Sequence, residues 1–462
     1  MLIRFAVENF LSFKELTEFT MTAGKMTRHK DHYTLCNGRR VLKGAFVFGA
    51  NASGKTNLIR AVAFASNIIE NGLENTNCDK KYFRIDNACR NKPTVFQFDI
   101  FSNNHFYSYG FAVSLVNRSI EEEWLYQIDD EDKCIFLRSK EDDGTSYKVY
   151  SDLVFDTELK NSRFTIYAES ISNLKMDKTL FLSDIVQRIP DAELEYQPFR
   201  DVMSWFDRLI VIFPDSRYEG IIHLIENDNE RVRLENLLNY FDTGVSEVIK
   251  KNQDFDQAFT MFPEKVVESL KTSISKRLKD EEFTAATIGN DSRIQVTYEN
   301  GDLVASKVFT NHGNDDDLFE YYDESDGTQR LFDLIPIFQN VLNNSVILID
   351  EIDRSLHTKA VMEFISYFYS VAEESASQLI VTTHDSNILD LDFVRQDEIW
   401  FIERQRNQSS RLYSLNQFRE RFDKRIEKEY LIGRYGAIPI FRHSAFESRL
   451  EREDDADADS CQ

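Results

Sequence analysis

The fold of this chain is decided by one stretch, Gly49-Ala50-Asn51-Ala52-Ser53-Gly54-Lys55-Thr56. It fits the pattern Gly-x-x-x-x-Gly-Lys-[Ser/Thr], the phosphate-binding loop of nucleotide hydrolases. Glycine lets the backbone curl until successive N–H groups converge on an anion. Lys55 is suited to contact the β- and γ-phosphates as a point charge, and the Thr56 hydroxyl is a candidate magnesium ligand. The stretch therefore predicts a site for ATP and Mg²⁺.

The residues on either side of this loop have the pattern that the motif requires. Upstream, Gly44-Ala-Phe-Val-Phe48 indicates a strand, since it is rich in aromatic and β-branched residues and contains no proline. Downstream, apolar residues recur at helical spacing from Leu58 to Ile69. A strand, a glycine loop and a helix in this order place the phosphate at the N-terminus of the helix. A merely glycine-rich turn is the alternative interpretation.

A second motif places two acids directly after an apolar run. Val346 to Ile349 suits a strand that is buried on both faces of a parallel sheet. It ends at Asp350 and Glu351, where open α/β sheets carry ligand-binding groups. We predict that Asp350 holds the magnesium, directly or through a water, and that Glu351 polarises the attacking water. Two acids that merely begin a polar loop are the alternative.

Two further segments complete the predicted site. Ser325 and Gly327 stand at the start of a predicted helix, an arrangement that can bind an anion, although serine is also an ordinary N-cap. The apolar strand from Gln378 to Thr383 ends at His384. Because His384 follows the carboxylate-ended strand and one intervening helix, we predict that it contacts the γ-phosphate. A structural histidine is the alternative.

In this order the segments resemble the ATP-binding-cassette ATPases, and most closely the branch that contains SMC, RecF and the OLD nucleases. The resemblance implies an α/β fold: an ABC-type P-loop head with a mixed sheet, flanking helices, an antiparallel β meander and an inserted, mainly helical lobe. The matching segments are Asn9-Phe10-x-Ser12, the phosphate loop from Gly49 to Asn57, the signature-like Ser325-x-Gly327-x-Gln329-Arg330, the Walker B pair Asp350-Glu351, Asp353-x-Ser355-Leu356-His357 and the switch histidine His384.

The chain departs from this family pattern at three positions. Glu324 stands where the signature usually has a leading leucine, and Asp326 replaces its second small residue. Some relatives carry an arginine that contacts nucleotide at the position of Leu11. Gln97 is the candidate for the family's glutamine loop.

The resemblance also implies a domain plan and a mechanism. Two copies would enclose two ATP molecules, each held by one copy's residues 49–57 and by Ser325 and Gly327 of the other, in a homodimer or higher even oligomer. Lys55, Glu351 and His384 would be catalytic. The predicted domains are residues 1–150, the N-terminal half of the head with its β meander; 151–319, a largely helical variable lobe; 320–450, the C-terminal half; and 451–462, a disordered acidic tail.

A more specific resemblance is to the stand-alone ATPases of bacterial abortive-infection and anti-phage systems, including Septu- and retron-associated subunits. It rests on the segments Glu324–Thr328, Asp350–His357 and Gly433-Arg-Tyr-Gly-Ala-Ile-Pro439. It implies a switch that controls a separate effector, a nuclease of HNH or TOPRIM type encoded nearby, with indirect contact to nucleic acid. The alternatives are a RecF-like repair ATPase that binds DNA directly and a scaffold that only binds ATP.

Composition limits the remaining possibilities. The formal net charge of −24 opposes wholesale binding to a polyanion. Residues 404–449 are a local exception, with eleven lysines and arginines against five acids. No apolar run is long enough to span a bilayer. The five cysteines are scattered without the spacing of metal ligands, which favours the reducing cytoplasm.

Overall fold

The computed structural model describes residues 1–129, 131–141, 146–172, 176–189, 193–218, 221–260, 262–277, 294–299, 302–418, 420 and 424–438. The predicted acidic tail lies outside these residues. The chain forms two compact units, the first made of residues 1–207 together with the chain from residue 380 onward, and the second of residues 208–379.

The secondary structure alternates short strands with helices of up to 17 residues. The strands are β1 (Leu2–Glu8), β2 (Thr17–Thr20), β3 (Tyr33–Cys36), β4 (Arg39–Leu42), β5 (Gly44–Phe48), β6 (Thr94–Ser102), β7 (His105–Ser114), β8 (Ser119–Ile128), β9 (Asp132–Lys140), β10 (Tyr147–Tyr150), β11 (Leu209–Ile212), β12 (Glu247–Asp254), β13 (Ile294–Glu299), β14 (Asp302–Asn311), β15 (Phe319–Glu320), β16 (Val346–Ile349), β17 (Gln378–Thr383), β18 (Ile399–Arg404) and β19 (Ser410–Ser414). The helices are α1 (Lys55–Asn71), α2 (Glu158–Ser172), α3 (Phe181–Arg188), α4 (Gln197–Phe206), α5 (Ile221–Glu226), α6 (Asp228–Tyr240), α7 (Phe255–Ala258), α8 (Glu264–Arg277), α9 (Asp326–Leu334), α10 (Phe338–Val341), α11 (Thr358–Val371) and α12 (Ile426–Leu431).

The first unit contains a seven-stranded antiparallel sheet in the order β10-β9-β8-β7-β6-β1-β2. Residues along β6 alternate between buried and half-buried, as a strand with one core-facing side requires. Phe98 on its buried side packs against Trp205 and Phe206 of α4, with ring centroids 5.9 and 5.1 Å away. The predicted α/β class with its antiparallel meander is confirmed.

A buried ion pair fixes one helix to this sheet. Glu123 of β8 accepts hydrogen bonds from the backbone N–H groups of Phe181 and Leu182, at 2.7 and 3.0 Å, where α3 begins. Arg138 of β9 donates to the carbonyl oxygens of Met176 and Thr179. Burial raises the pKa of the Glu123 carboxyl above its ordinary value, and the nearby Arg138 opposes that rise.

The strands that position the phosphate loop, β5, β18 and β19, are neighbours in a second sheet. β5 is buried along its whole length and pairs in parallel with β18, which pairs antiparallel with β19. β18 and β19 thus form a hairpin. After it, a 3-10 turn spans Leu415–Phe418 and α12 spans Ile426–Leu431.

The second unit contains the strand that carries the Walker B acids. β16 pairs in parallel with β11, and all four residues of β16 are buried. The single helix predicted after Ser325 is interrupted: α9 ends at Leu334, a 3-10 turn spans Ile335–Ile337, and α10 follows. Pro336 explains the interruption, since proline lacks the N–H group that a continuous α-helix needs.

The predicted lobe, residues 151–319, contains helices α2–α8 but also strands β11–β14. β11 belongs with the Walker B strand rather than with an insertion. β14 pairs antiparallel with β12 on one side and β13 on the other, and this sheet has its own apolar core. The prediction of a largely helical segment over residues 151–319 did not include β12, because most of that strand is polar and only partly buried. Among the described residues, no helix combines the length and apolarity needed to cross a membrane.

Candidate functional site

The phosphate loop runs from the end of β5 to the start of α1, and its two glycines are required by close packing. Gly54 has a φ of +119°, which side chains rarely adopt. A Cβ atom there would overlap Ser410 Oγ and lie 2.9 Å from Ser12 Oγ. A Cβ on Gly49 would overlap the Ile402 carbonyl oxygen. These contacts leave room only for bare backbone, the feature that allows N–H groups to approach a phosphate.

Three serines, Ser12, Ser53 and Ser410, form hydrogen bonds next to the loop, and we call them the serine brace. Ser410 Oγ lies 2.8 Å from Ser12 Oγ and 2.5 Å from the Ser53 carbonyl oxygen. The backbone N–H of Ser410 donates to the Ser12 carbonyl oxygen at 2.7 Å. Asn57 Nδ2 donates to Ser12 Oγ at 2.8 Å, so this predicted nucleotide-binding side chain is hydrogen-bonded within the loop's support.

Lys55 and His384, both predicted from sequence, are brought together in the first unit. Lys55 Nζ donates to the carbonyl oxygens of Gly49 and Ala50, at 2.7 and 3.3 Å, and lies 3.4 Å from His384 Nδ1. Lys55 is only 5% exposed, whereas His384 is exposed. A buried ammonium beside an exposed imidazole at a helix N-terminus forms an electropositive position suited to an anion.

The Walker B acids lie in the second unit, at the carboxyl end of β16. Asp350 is 1% exposed, and its backbone N–H donates to the Ile212 carbonyl oxygen of β11 at 2.9 Å. Glu351 has a φ of +50° and Ser355 one of +63°. For side chains other than glycine, such left-handed backbone costs on the order of 1–3 kcal/mol and clusters at functional sites. The strain at Glu351 is consistent with its predicted role as general base.

The signature-like segment also lies in the second unit. Ser325 is the N-cap of α9, and its Oγ accepts a hydrogen bond from the Thr328 backbone N–H at 3.2 Å. Ser325 therefore has the ordinary capping role, at the N-terminus of α9, which is also the helix end that suits an anion. A Cβ on Gly327 would lie 2.9 Å from the Ser355 carbonyl oxygen, so this glycine permits close approach of the segment that follows the Walker B pair.

Arg330, on the same helix, is a buried cation. Its Nη1 donates to the carbonyl oxygen of Phe213 at 3.3 Å, which links α9 to the end of β11. Burial lowers the pKa of the Arg330 guanidinium, Asp333 opposes that effect, and the positive charges of Arg217 and Arg354 add to it.

Two sequence candidates are engaged elsewhere. The side-chain amide of Gln97 donates to Asp99 Oδ1 and Ser108 Oγ, at 3.0 and 2.9 Å, within the antiparallel sheet. Leu11 has a φ of +48°, and its N–H donates to the Lys81 carbonyl oxygen at 2.7 Å. Sequence reasoning missed Ser410, which lies 398 residues from Ser12 and gives no local signal.

The first unit has residues that fit a nucleoside triphosphate, and each unit, taken by itself, has one candidate magnesium ligand. The glycine cradle and Lys55 stand at the start of the 17-residue α1. Thr56, the first candidate metal ligand, follows Lys55 in the first unit, and Asp350, the second, ends β16 in the second unit. A hydroxyl and a carboxylate are oxygen ligands of the kind that magnesium prefers.

Comparison with known proteins identifies the family. Solved structures that match include the SMC head domain from Thermotoga maritima, with 12% identity over 89% of this chain and 98% of that one and a TM-score of 0.34. An SMC head bound to the C-terminal winged-helix domain of ScpA matches with 12% identity, 90% and 99% coverage and a TM-score of 0.36. A Pyrococcus furiosus SMC head with an extended coiled coil, bound to the C-terminal domain of ScpA, matches with 14% identity, 90% and 97% coverage and a TM-score of 0.31. No curated protein sequence matches the chain significantly. A family model matches residues 45–390, well over half of the sequence, and the chain therefore belongs to the family described as "AAA domain, putative AbiEii toxin, Type IV TA system".

Proposed function

We propose that this chain binds and hydrolyses ATP and that it works as a switch. The observation that carries this proposal is the position of the Lys55 ammonium, held 2.7 Å from the Gly49 carbonyl oxygen at the N-terminus of α1 and 3.4 Å from His384 Nδ1. Membership of an AAA-domain family supports it. A lysine that only stabilised the fold would not require two closely packed glycines and an exposed histidine beside it.

Each residue has a distinct task in this proposal. Magnesium-bound ATP supplies the phosphoric anhydride that is hydrolysed. Lys55 Nζ would offset phosphate charge, and the Thr56 hydroxyl and the Asp350 carboxylate would hold the metal. The Glu351 carboxylate orients the attacking water and accepts its proton. His384 contacts the γ-phosphate through a ring nitrogen.

We further propose that a complete site needs two copies of the chain. Ser325 and Gly327 of one copy would meet the nucleotide held by the phosphate loop of the other, in a homodimer or higher even oligomer. Support comes from the resemblance to ABC-type ATPases and from α9, whose N-terminus carries Ser325 as its cap. Binding of ATP would then favour the paired state, and hydrolysis would release it.

The biological role that we propose is anti-phage defence through a separate effector. The family description names a toxin of a type IV toxin–antitoxin system, which supports a defence role and a partner component. The partner would be a nuclease of HNH or TOPRIM type, with nucleic acid contacted indirectly. The four described cysteines are free thiols, as a reducing compartment requires, and we place the protein in the cytoplasm.

Hydrolysis is tested with two variants that fail for different reasons. Lys55→Ala should weaken ATP binding by about 10- to 100-fold, since a hydrogen bond to a charged group is worth about 1.5–3 kcal/mol. Glu351→Gln should retain ATP affinity and lose turnover by about 10²- to 10⁴-fold, the usual contribution of a general base. Titration with a fluorescent ATP analogue and a phosphate-release assay measure the two effects. Equal turnover of wild type and Glu351→Gln would refute the role of that residue.

The two-copy site and the choice of effector need separate experiments. Ser325→Arg should bind ATP without hydrolysing it, and mixing it with Lys55→Ala should restore part of the activity through one intact composite site. Co-purification with the product of a neighbouring nuclease gene would support the effector. A steep salt dependence of duplex DNA binding by the chain alone would instead favour the RecF-like alternative.

A further inference from the structure

The residue before Ser325 is a buried carboxylate where the resembling signature has a leucine. The Glu324 side chain is 4% exposed. A buried carboxylate is costly unless hydrogen bonds and charge compensate it. Its retention directly beside Ser325 therefore requires specific partners.

Those partners come from the end of β14. Glu324 Oε1 lies 2.8 Å from His312 Nε2 and also accepts a hydrogen bond from Thr310 Oγ1. The carbonyl oxygen of Glu324 accepts from Gln329 Nε2 at 2.9 Å. We call the contact of Glu324 with Thr310 and His312 the Glu324 tether. The tether holds the Glu324 side chain, and the hydrogen bond from Gln329 holds the Glu324 backbone.

The tether is anchored in a strand that is paired on both sides, within the second unit. Thr310 is 1% exposed and lies in β14, the central strand between β12 and β13. The His312 ring packs edge-on against Phe319, with centroids 4.8 Å apart, and Phe319 pairs with Thr310 across β14 and β15. The sheet has its own apolar core, which includes Phe255 and Phe259. Any shift of this sheet would thus be transmitted to the carboxylate beside Ser325.

We propose that Glu324, His312 and Thr310 are positioning residues for Ser325, and that the sheet of β12, β14 and β13 thereby controls whether the α9 N-terminus can complete the nucleotide site of a second copy. This inference rests on the proposed two-copy function. In that two-copy site Ser325 and Gly327 contact the nucleotide, whereas the tether only determines their position. The two hydrogen bonds to one carboxylate oxygen are directional, and a leucine at this position could supply only apolar contact.

The main test replaces Glu324 by leucine, the residue of the resembling signature. Glu324→Leu leaves Thr310 and His312 without their acceptor and should lower kcat by about 10- to 100-fold, since a misplacement of about 1 Å can cost about 10² in rate. The affinity of the same chain for a fluorescent ATP analogue should change less than about twofold, because its phosphate loop is intact. Glu324→Gln keeps an acceptor oxygen and should recover most of the activity.

A matched control and a milder variant keep the outcome clear. Glu268→Leu removes an exposed acid from α8 of the same unit and should have wild-type kcat. His312→Ala removes one arm of the tether at a side chain that is 27% exposed, and serves if Glu324→Leu does not fold. His312→Ala should lower kcat by about 3- to 10-fold, the equivalent of one hydrogen bond.

Mixing distinguishes positioning from general damage. A heterodimer of Glu324→Leu with Lys55→Ala contains one site with an intact loop and an intact signature, so activity should return in part. If Glu324→Leu and His312→Ala both hydrolyse ATP at the wild-type rate while Ser325→Arg does not, the inference is overturned and the two-copy function stands. If Ser325→Arg also hydrolyses normally, the two-copy function itself is wrong. Loss of activity without recovery in demonstrated heterodimers would likewise overturn the inference.

Discussion

The packing around Gly54 gives a prediction whose size can be worked out from the structure. Gly54→Ala introduces two separate costs. A residue with a side chain at a φ of +119° is strained by about 1–3 kcal/mol. The new Cβ would also overlap Ser410 Oγ and stand 3.0 Å from Ser410 Cβ, and overpacking of this kind costs about 1–3 kcal/mol. We therefore expect Gly54→Ala to lower the free energy of unfolding by about 2–6 kcal/mol.

Two further variants separate the two costs. Gly38 has a φ of +80° with no atom within 4 Å of its would-be Cβ, so Gly38→Ala should show only the backbone strain. Ser410→Ala removes the overlapping hydroxyl, and the double variant with Gly54→Ala should recover about 1–3 kcal/mol of the loss. Ser410→Ala removes the hydrogen bond from Ser410 Oγ to the Ser53 carbonyl oxygen in both arms of the cycle. This loss therefore cancels from the coupling energy.

Urea unfolding followed by far-ultraviolet circular dichroism measures all four free energies. The cycle of Gly54→Ala and Ser410→Ala should give a favourable coupling of about 1–3 kcal/mol, since the residues are in contact. The explanation fails if Gly54→Ala is no more destabilising than Gly38→Ala. It also fails if the double variant is as unstable as the sum of the single ones, because overlap with Ser410 would then contribute nothing.

Two other predictions concern the antiparallel sheet of the first unit. The folded-state pKa of Glu123 is raised by burial above its ordinary value of 4.5, so its contribution to stability is fully present below the unfolded pKa and is lost as pH rises through the folded one. The unfolding free energy of wild type minus that of Glu123→Gln should therefore fall as pH rises; an increase would show that the attraction of Arg138 outweighs burial. Gly110→Ala should cost about 1–3 kcal/mol in urea unfolding, because its Cβ would overlap the Trp124 ring and lie 2.7 Å from the Phe96 carbonyl oxygen, and a cost equal to that of a surface substitution would refute this packing.

Features with local signals were predicted well from the sequence. The apolar run before Asp350 predicts a buried strand at Val346–Ile349, and β16 has those bounds. The helical spacing from Leu58 to Ile69 predicts a helix after the phosphate loop, and α1 spans Lys55–Asn71. In both cases hydrophobic periodicity and glycine chemistry lie within a few residues of the element.

Features that depend on distant partners were not predictable in this way. Ser410 supports the phosphate loop from β19, yet nothing in its own neighbourhood indicates that role. Six of the eight residues of β12 are polar and only Val248 is fully buried, so its pattern resembles that of a polar helix. The partner of β11 was unpredictable for a related reason: β11 is short and apolar, and its parallel pairing with β16 joins segments more than a hundred residues apart in the sequence.

The departure from the family pattern at Glu324 has a physical explanation. In place of a leucine, the chain has a carboxylate that would be costly in its buried position without Thr310 and His312. Those two residues would in turn leave polar groups without their acceptor if position 324 were apolar. Removal of either side of the contact leaves polar groups without a partner. Glu324 and the two residues at the end of β14 therefore depend on each other. The carboxylate at position 324 therefore has hydrogen bonds to the end of β14, where a leucine would make only apolar contact.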